Sequence, residues 1–181
     1  MLITHLSENY FIFIKTFALK TLLIIRHAKS DQSFFGNDFE RPLNERGKKD
    51  APEMAKRMLD RDIAIDAFVS SPAKRAKKTA ELFCEAFNKK TGDIIFISAL
   101  YHAPAREFYE VIKGFDDQFD TVAIFAHNPG ISYFVNELVS DVRIDNMPTC
   151  AVFTVQMNIT QWKDFAKAKK EFLFFDYPKN S

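Results

Sequence analysis

Short, unbroken apolar runs alternate along this chain with segments whose apolar residues recur at helical spacing. That alternation constrains the fold more than any other feature. Thr21–Ile25 is one such run, as expected for a strand buried on both faces. From Asn44 to Leu59 the positions Ala51, Met54, Ala55, Met58 and Leu59 follow a helical period, with Asn44 placed as N-cap. Further strands are expected over Ile63–Ser70, Ile94–Ile97, Thr121–Ala126, Cys150–Met157 and Phe172–Phe175. Helices are expected over Pro72–Phe87, Arg106–Ile112 and Ile131–Val139. The order predicts an α/β fold, a three-layer α/β/α sandwich on a mostly parallel sheet.

A length of 181 residues suits one domain with a sizeable core. We read 1–20 as an N-terminal extension outside that core and 21–181 as a single domain. Tyr10–Leu19 is largely apolar, but Lys15 interrupts it and it is too short to span a bilayer. Glu8 before it and Lys20 behind it do not fit a secretory signal, so no membrane association is expected. The net charge of +1 carries no basic footprint, which argues against nucleic acid as a partner. Cys84 and Cys150 have no metal or redox spacing; two free thiols suit a reducing, cytoplasmic setting. Twenty Phe against five Gly point to a thickly packed core and identify no chemistry.

Ligands of open α/β sheets sit beyond the carboxyl ends of the strands, so the polar residues there carry the information. Arg26 and His27 follow the first strand, and Ser70-Ser71-Pro72-Ala73-Lys74-Arg75 follows the second and opens a helix. His102 comes after the third, and His127 with Asn128-Pro129-Gly130 after the fourth. On a helical projection Arg75 falls in the apolar sector with Ala76, Thr79, Leu82 and Phe83, whereas Lys74, Lys77 and Lys78 lie opposite. An inward arginine in a first turn makes an anion site together with free N–H groups; the bland alternative is an arginine snorkelling at the sheet edge. The histidines, with Asp31 or Asp38, have the donor types of a metal site. Two guanidiniums beside them repel a divalent cation and suit a phosphate, so neither metal nor cofactor is expected. No nucleotide-binding glycine loop occurs.

These segments resemble the histidine phosphatase, or phosphoglycerate mutase-like, superfamily, and more narrowly its short SixA-type phosphohistidine phosphatases. Ile25-Arg26-His27-Ala28-Lys29-Ser30 is similar to the family's R-H motif. The similarity runs on through Arg41-Pro42-Leu43-Asn44-Glu45-Arg46-Gly47, Ser70-Ser71-Pro72-Ala73-Lys74-Arg75-Ala76 with Thr79-Ala80, and Leu100-Tyr101-His102. Ala126-His127-Asn128-Pro129-Gly130 and Pro148-Thr149-Cys150-Ala151-Val152 complete it. The resemblance implies a phosphoglycerate mutase-like fold, His27 as nucleophile, and Arg26, Arg75 and His127 around the phosphate, with Asn128 counted among the phosphate-binding residues.

Chemistry agrees with those roles. A neutral imidazole attacks phosphorus in line, and guanidiniums with an imidazolium at His127 stabilise the spread charge. The arginines also favour neutral His27. Many relatives place a carboxylic acid after the third strand, whereas this chain has His102, with Glu107 and Glu110 further on. His102 either protonates the leaving group or serves local structure. Imidazole leaves from a P–N bond with little acid help, which favours a phosphohistidine-bearing protein as substrate. A small phosphate ester, handled by a phosphomonoesterase or a mutase-like enzyme with the same nucleophile, is the alternative, and a module that only binds phosphorylated partners is the non-enzymatic one.

Overall fold

A computed structural model of the chain describes residues 19–180. Six strands form one sheet: β1 Leu19–Arg26, β2 Ala67–Ser70, β3 Ile95–Phe96, β4 Thr121–Ala126, β5 Val152–Asn158 and β6 Glu171–Asp176, in the order β3-β2-β4-β1-β5-β6. β1 to β4 run parallel, β5 is antiparallel to β1, and β6 is antiparallel to β5. Four helices flank them: α1 Glu45–Leu59, α2 Lys74–Ala86, α3 Ala105–Ile112 and α4 Gly130–Leu138.

The side-chain period of two divides the centre of the sheet between two cores. Leu22 and Ile24 of β1, with Val122 and Ile124 of β4, pack against Phe108 and Ile112 of α3 and Phe134 and Val135 of α4. Leu23, Ile25, Ala123 and Phe125 face the other way, onto Met54, Ala55 and Met58 of α1 and Phe83 of α2. The three-layer expectation therefore holds, and its cause is the unbroken apolar run in β1. Each fully buried Leu, Ile, Val, Phe or Met in these two cores contributes on the order of 1.5–3 kcal/mol.

Helix ends agree with the sequence to within two residues. Asn44 caps α1 as expected, its side chain accepting the Gly47 N–H at 2.9 Å. The strand expected from Ile63 is shorter. Only Ala67–Ser70 pairs, because Ile63 and Ile65 pack into the α1/α2 core as part of the connection. The domain boundary at 20/21 falls two residues late, since β1 starts at Leu19 and Lys20 is buried. The Lys20 ammonium donates to Asp117 O at 2.6 Å and Phe119 O at 3.0 Å and pairs with Asp120 at 2.7 Å. The rest of the extension, 1–18, lies outside the described residues. No described helix is long and apolar enough to cross a membrane.

Two glycines bring the loops at the carboxyl edge together. A Cβ on Gly47 would lie 2.1 Å from Lys29 O, so the start of α1 can sit against the segment after His27 only without a side chain there. A Cβ on Gly130 would lie 1.7 Å from Ala103 O, which seats α4 against the loop carrying His102. His102 itself has φ 54°, uncommon for a non-glycine residue.

Candidate active site

A cavity of about 230 Å³ opens at the carboxyl edge of β1, β2 and β4, and its lining includes Arg26, His27, Arg75, His102, His127 and Asn128. Every site residue expected from the sequence thus reaches one pocket. Asp38, Arg41, Lys29 and Thr149 line it too.

His27 sits at the end of β1, 6% exposed. Its Nδ1 lies 2.8 Å from Ala28 O and its Nε2 lies 3.2 Å from Arg75 Nε. A guanidinium only donates, so Nε2 holds the lone pair and Nδ1 carries the proton, given to the carbonyl. Burial pushes the imidazole pKa down to about 3; the Ala28 bond opposes this, and Arg75, Arg26 and Arg41 add to it. Neutrality was expected from the arginines alone, but burial contributes more. Thr79 locks the arrangement: its Oγ1 accepts the Ala28 N–H at 2.9 Å and donates to Arg75 O at 2.7 Å.

Arg75 points inward as the projection required, and it is 2% exposed. It is not free, however. Besides His27 it donates to Asp38 O at 2.6 Å and Asp38 Oδ2 at 2.9 Å. The same carboxylate accepts from Arg41 at 2.6 Å and Tyr101 Oη at 3.0 Å, and His102 Nε2 lies 3.7 Å away. Burial works to raise the Asp38 pKa, but the bonds from Tyr101 and Arg75 and the charges of Arg75 and Arg41 outweigh it and hold it at about 2. Asp38 is therefore an ionised carboxylate resting on the arginines.

His127 lies with its ring centre 5.0 Å from that of His27. Its Nε2 is 2.8 Å from Ser71 Oγ, which also accepts the Ala73 N–H at 3.3 Å. The hydroxyl has a proton it can give to Nε2, and in that arrangement Nδ1 carries the ring proton. Burial, then His27, Arg75 and His102, push the His127 pKa down to about 2 despite Asp38. The imidazolium expected at this position is thus a neutral imidazole, because three cationic or potentially cationic neighbours and burial oppose the charge. Burial and Arg75 also lower the Arg26 pKa, though a guanidinium stays protonated.

Three buried donors of this cluster have no hydrogen-bond partner among the described residues: Arg26 Nε, Arg41 Nε and His127 Nδ1. Asn128 differs. Its Nδ2 donates to Asn146 Oδ1 and to Met147 O at 3.2 Å, and its Oδ1 accepts from Ser132 at 2.7 Å. Both side-chain N–H groups point to the 146–147 loop, so here the Asn128 side chain supports that loop at the wall of the pocket. No group of three or more His, Cys, Asp or Glu side chains among the described residues is placed to hold a metal ion.

Sequence reasoning missed Asp38 as a partner of Arg75, weighing it only as a metal ligand, and assigned no role to Arg41, Ser71 or Thr79. Asp38 lies in a connection without periodicity, which offers no signal. Ser71 and Thr79 stood inside quoted motifs, where their bonds become visible only once α2 is docked.

Residues 22–96 match the family model described as the histidine phosphatase superfamily (branch 1). No curated protein matches the sequence. Among solved structures, a protein described as a phosphohistidine phosphatase SixA from Agrobacterium tumefaciens is 23% identical with a TM-score of 0.74, covering 88% of this chain and 98% of its own. The protein histidine phosphatase SixA solved with tungstate is 20% identical with a TM-score of 0.75, covering 88% and 98%. A mycobacterial glucosyl-3-phosphoglycerate phosphatase is 15% identical with a TM-score of 0.62, covering 85% and 97%. R-H, S-P-x-x-R-A-x-x-T-A and H-N-P-G stand at the ends of three parallel strands, and the chain is similar over residues 22–96 to branch 1 of the histidine phosphatase superfamily and in overall fold to these solved structures.

Proposed function

We propose that this chain is a phosphohistidine phosphatase acting on phosphorylated protein, with His27 as the nucleophile. The observation that carries the reading is a neutral His27 whose Nε2 lone pair faces a pocket of donors, three of them without a partner among the described residues. Nε2 attacks phosphorus, and the bond from phosphorus to the substrate imidazole breaks, its electron pair and a proton going to the departing ring. Arg26, Arg41, Arg75 and the Nδ1–H of His127 meet the phosphoryl oxygens, where preorganised donors lower the barrier most. Water then attacks phosphorus, the bond to Nε2 breaks, and phosphate leaves. A dianion in the pocket reverses the electrostatics at His127 and draws its pKa upward.

The leaving-group argument supports a P–N substrate. The carboxyl group lining the pocket, Asp38, is held ionised and has no proton to give. His102 is mostly exposed beside it and is the remaining proton donor. Alkyl phosphates, handled by a phosphomonoesterase or a mutase-like enzyme, need strong protonation of the leaving oxygen and are the poorer fit.

Acid-quenching the enzyme during turnover of a phosphohistidine peptide tests the reading. Acid-labile, base-stable phosphate should appear on His27, and His27→Ala should lose the label together with roughly 10⁴-fold or more of the rate. Turnover undiminished in that variant rules the nucleophile out. Turnover of alkyl phosphates at a rate equal to the peptide's rules out the substrate class.

A further inference from the structure

Beside the catalytic pocket lies a second cavity of about 310 Å³, lined chiefly by Arg26, Lys29, Arg46, Thr149, Tyr177 and Lys179. Arg26, Lys29 and Thr149 line both cavities, so the second continues the first outward. Its lining carries four cations and no carboxylate, in a chain whose 25 basic and 24 acidic residues nearly balance. Arg46 keeps Asp50 at 3.2 Å, while Lys29 and Lys179 have no ion-pair partner among the described residues.

The groove is built rather than left over. Lys29 O accepts the Asn44 N–H at 3.0 Å and lies against Gly47, which holds Lys29 and Arg46 at the amino end of α1. Within α1 Arg46 pairs with Asp50 one turn on, and its charge adds to the positive potential of the helix amino end. The far wall is fixed as well. Arg57 reaches under the C-terminal segment and donates to Tyr177 O at 3.3 Å, Pro178 O at 3.3 Å and Asn180 O at 3.2 Å.

We propose that this groove receives acidic side chains of the phosphorylated polypeptide, on residues next to the one whose phosphate enters the pocket. The proposal rests on the phosphatase reading and names the substrate's second recognition element. The cations come from three separate segments, the turn after β1, the start of α1 and the C-terminal tail, and the cavity is larger than the phosphate pocket. Carboxylates strung along an extended chain match that spread better than one compact dianion. Opposite-charge contacts of this exposed kind set specificity and depend on salt.

The test reads inhibition of p-nitrophenyl phosphate hydrolysis by two peptides bearing the stable phosphohistidine analogue phosphoryltriazolylalanine, one flanked by Glu and the other by Gln. The Glu peptide should inhibit roughly tenfold more strongly at low salt, with the advantage shrinking as salt rises. In the Arg46→Glu/Lys179→Glu variant that advantage should vanish, with kcat and KM for p-nitrophenyl phosphate unchanged. Should the double variant fold poorly, Lys179→Glu alone, at an exposed position, is expected to lose part of it. Equal inhibition by the two peptides, no inhibition by either, or an advantage that survives charge reversal overturns the proposal. A short alkyl bisphosphate that matches the Glu peptide and is equally weakened by the variant overturns the polypeptide assignment. Because the readout is aryl phosphate hydrolysis, failure to turn over phosphohistidine would count against the proposed activity and leave this preference measurable.

Discussion

The two ends of the parallel strands treat buried polar groups in opposite ways. At the amino end, Lys20 has three oxygen partners and Trp162 Nε1 donates to Phe119 O. At the carboxyl end, Arg26 Nε, Arg41 Nε and His127 Nδ1 are buried with no partner among the described residues. Buried polar atoms are normally satisfied, and leaving one bare costs on the order of 1–3 kcal/mol. The amino end therefore behaves as structure, while the carboxyl end keeps donors without a partner among the described residues, as the proposed phosphate site requires.

The sharpest way to break that contrast is Arg75→Ala. It should lower kcat/KM by at least about 10²-fold, as expected for losing a preorganised donor. Thermal stability should fall as well, because Asp38 O, Asp38 Oδ2 and His27 Nε2 lose a buried donor, so the rate is taken per folded molecule. Unfolding with normal activity per folded molecule would make Arg75 structural and erase the difference between the two ends.

Lys20→Met tests the opposite end. Removing the ammonium strips donors from Asp117 O and Phe119 O and should cost about 2 kcal/mol of stability. Activity per folded molecule should stay at the parent level, measured by urea titration alongside the phosphatase assay. A fall in kcat without a fall in stability would show that the two ends are coupled.

A smaller effect follows from the buried imidazoles. An unfolded histidine takes up its proton near 6.5, whereas His27 and His127 stay neutral in the fold down to about 3 and about 2. Below pH 6.5 the unfolded chain thus binds more protons, and stability is lost as pH falls through that window. The His27→Asn/His127→Asn variant should lose less Tm between pH 6.5 and 4.5 than the parent. Parallel Tm profiles would mean that the imidazoles are more solvated than the packing indicates.

Much of this was legible in the residue order. The apolar run of β1, the Asn44 cap and the inward setting of Arg75 are local consequences of backbone period and side-chain type, so sequence alone reaches them. The ordered motifs place the candidate residues for the same reason, since each lies where a strand must end. Other features depend on segments far apart in the chain meeting. Asp38 reaches Arg75 and Tyr101 across a connection with no periodicity. Asn128 spends its amide on residues 146 and 147, and burial exceeds the arginines in keeping His27 neutral. The sequence by itself determined the layers and the strand ends at which the candidate site residues stand, because period and residue chemistry are carried locally. Only the tertiary structure decided which donors were left without partners and which groups lost their charge, because solvation and pairing belong to the packed whole.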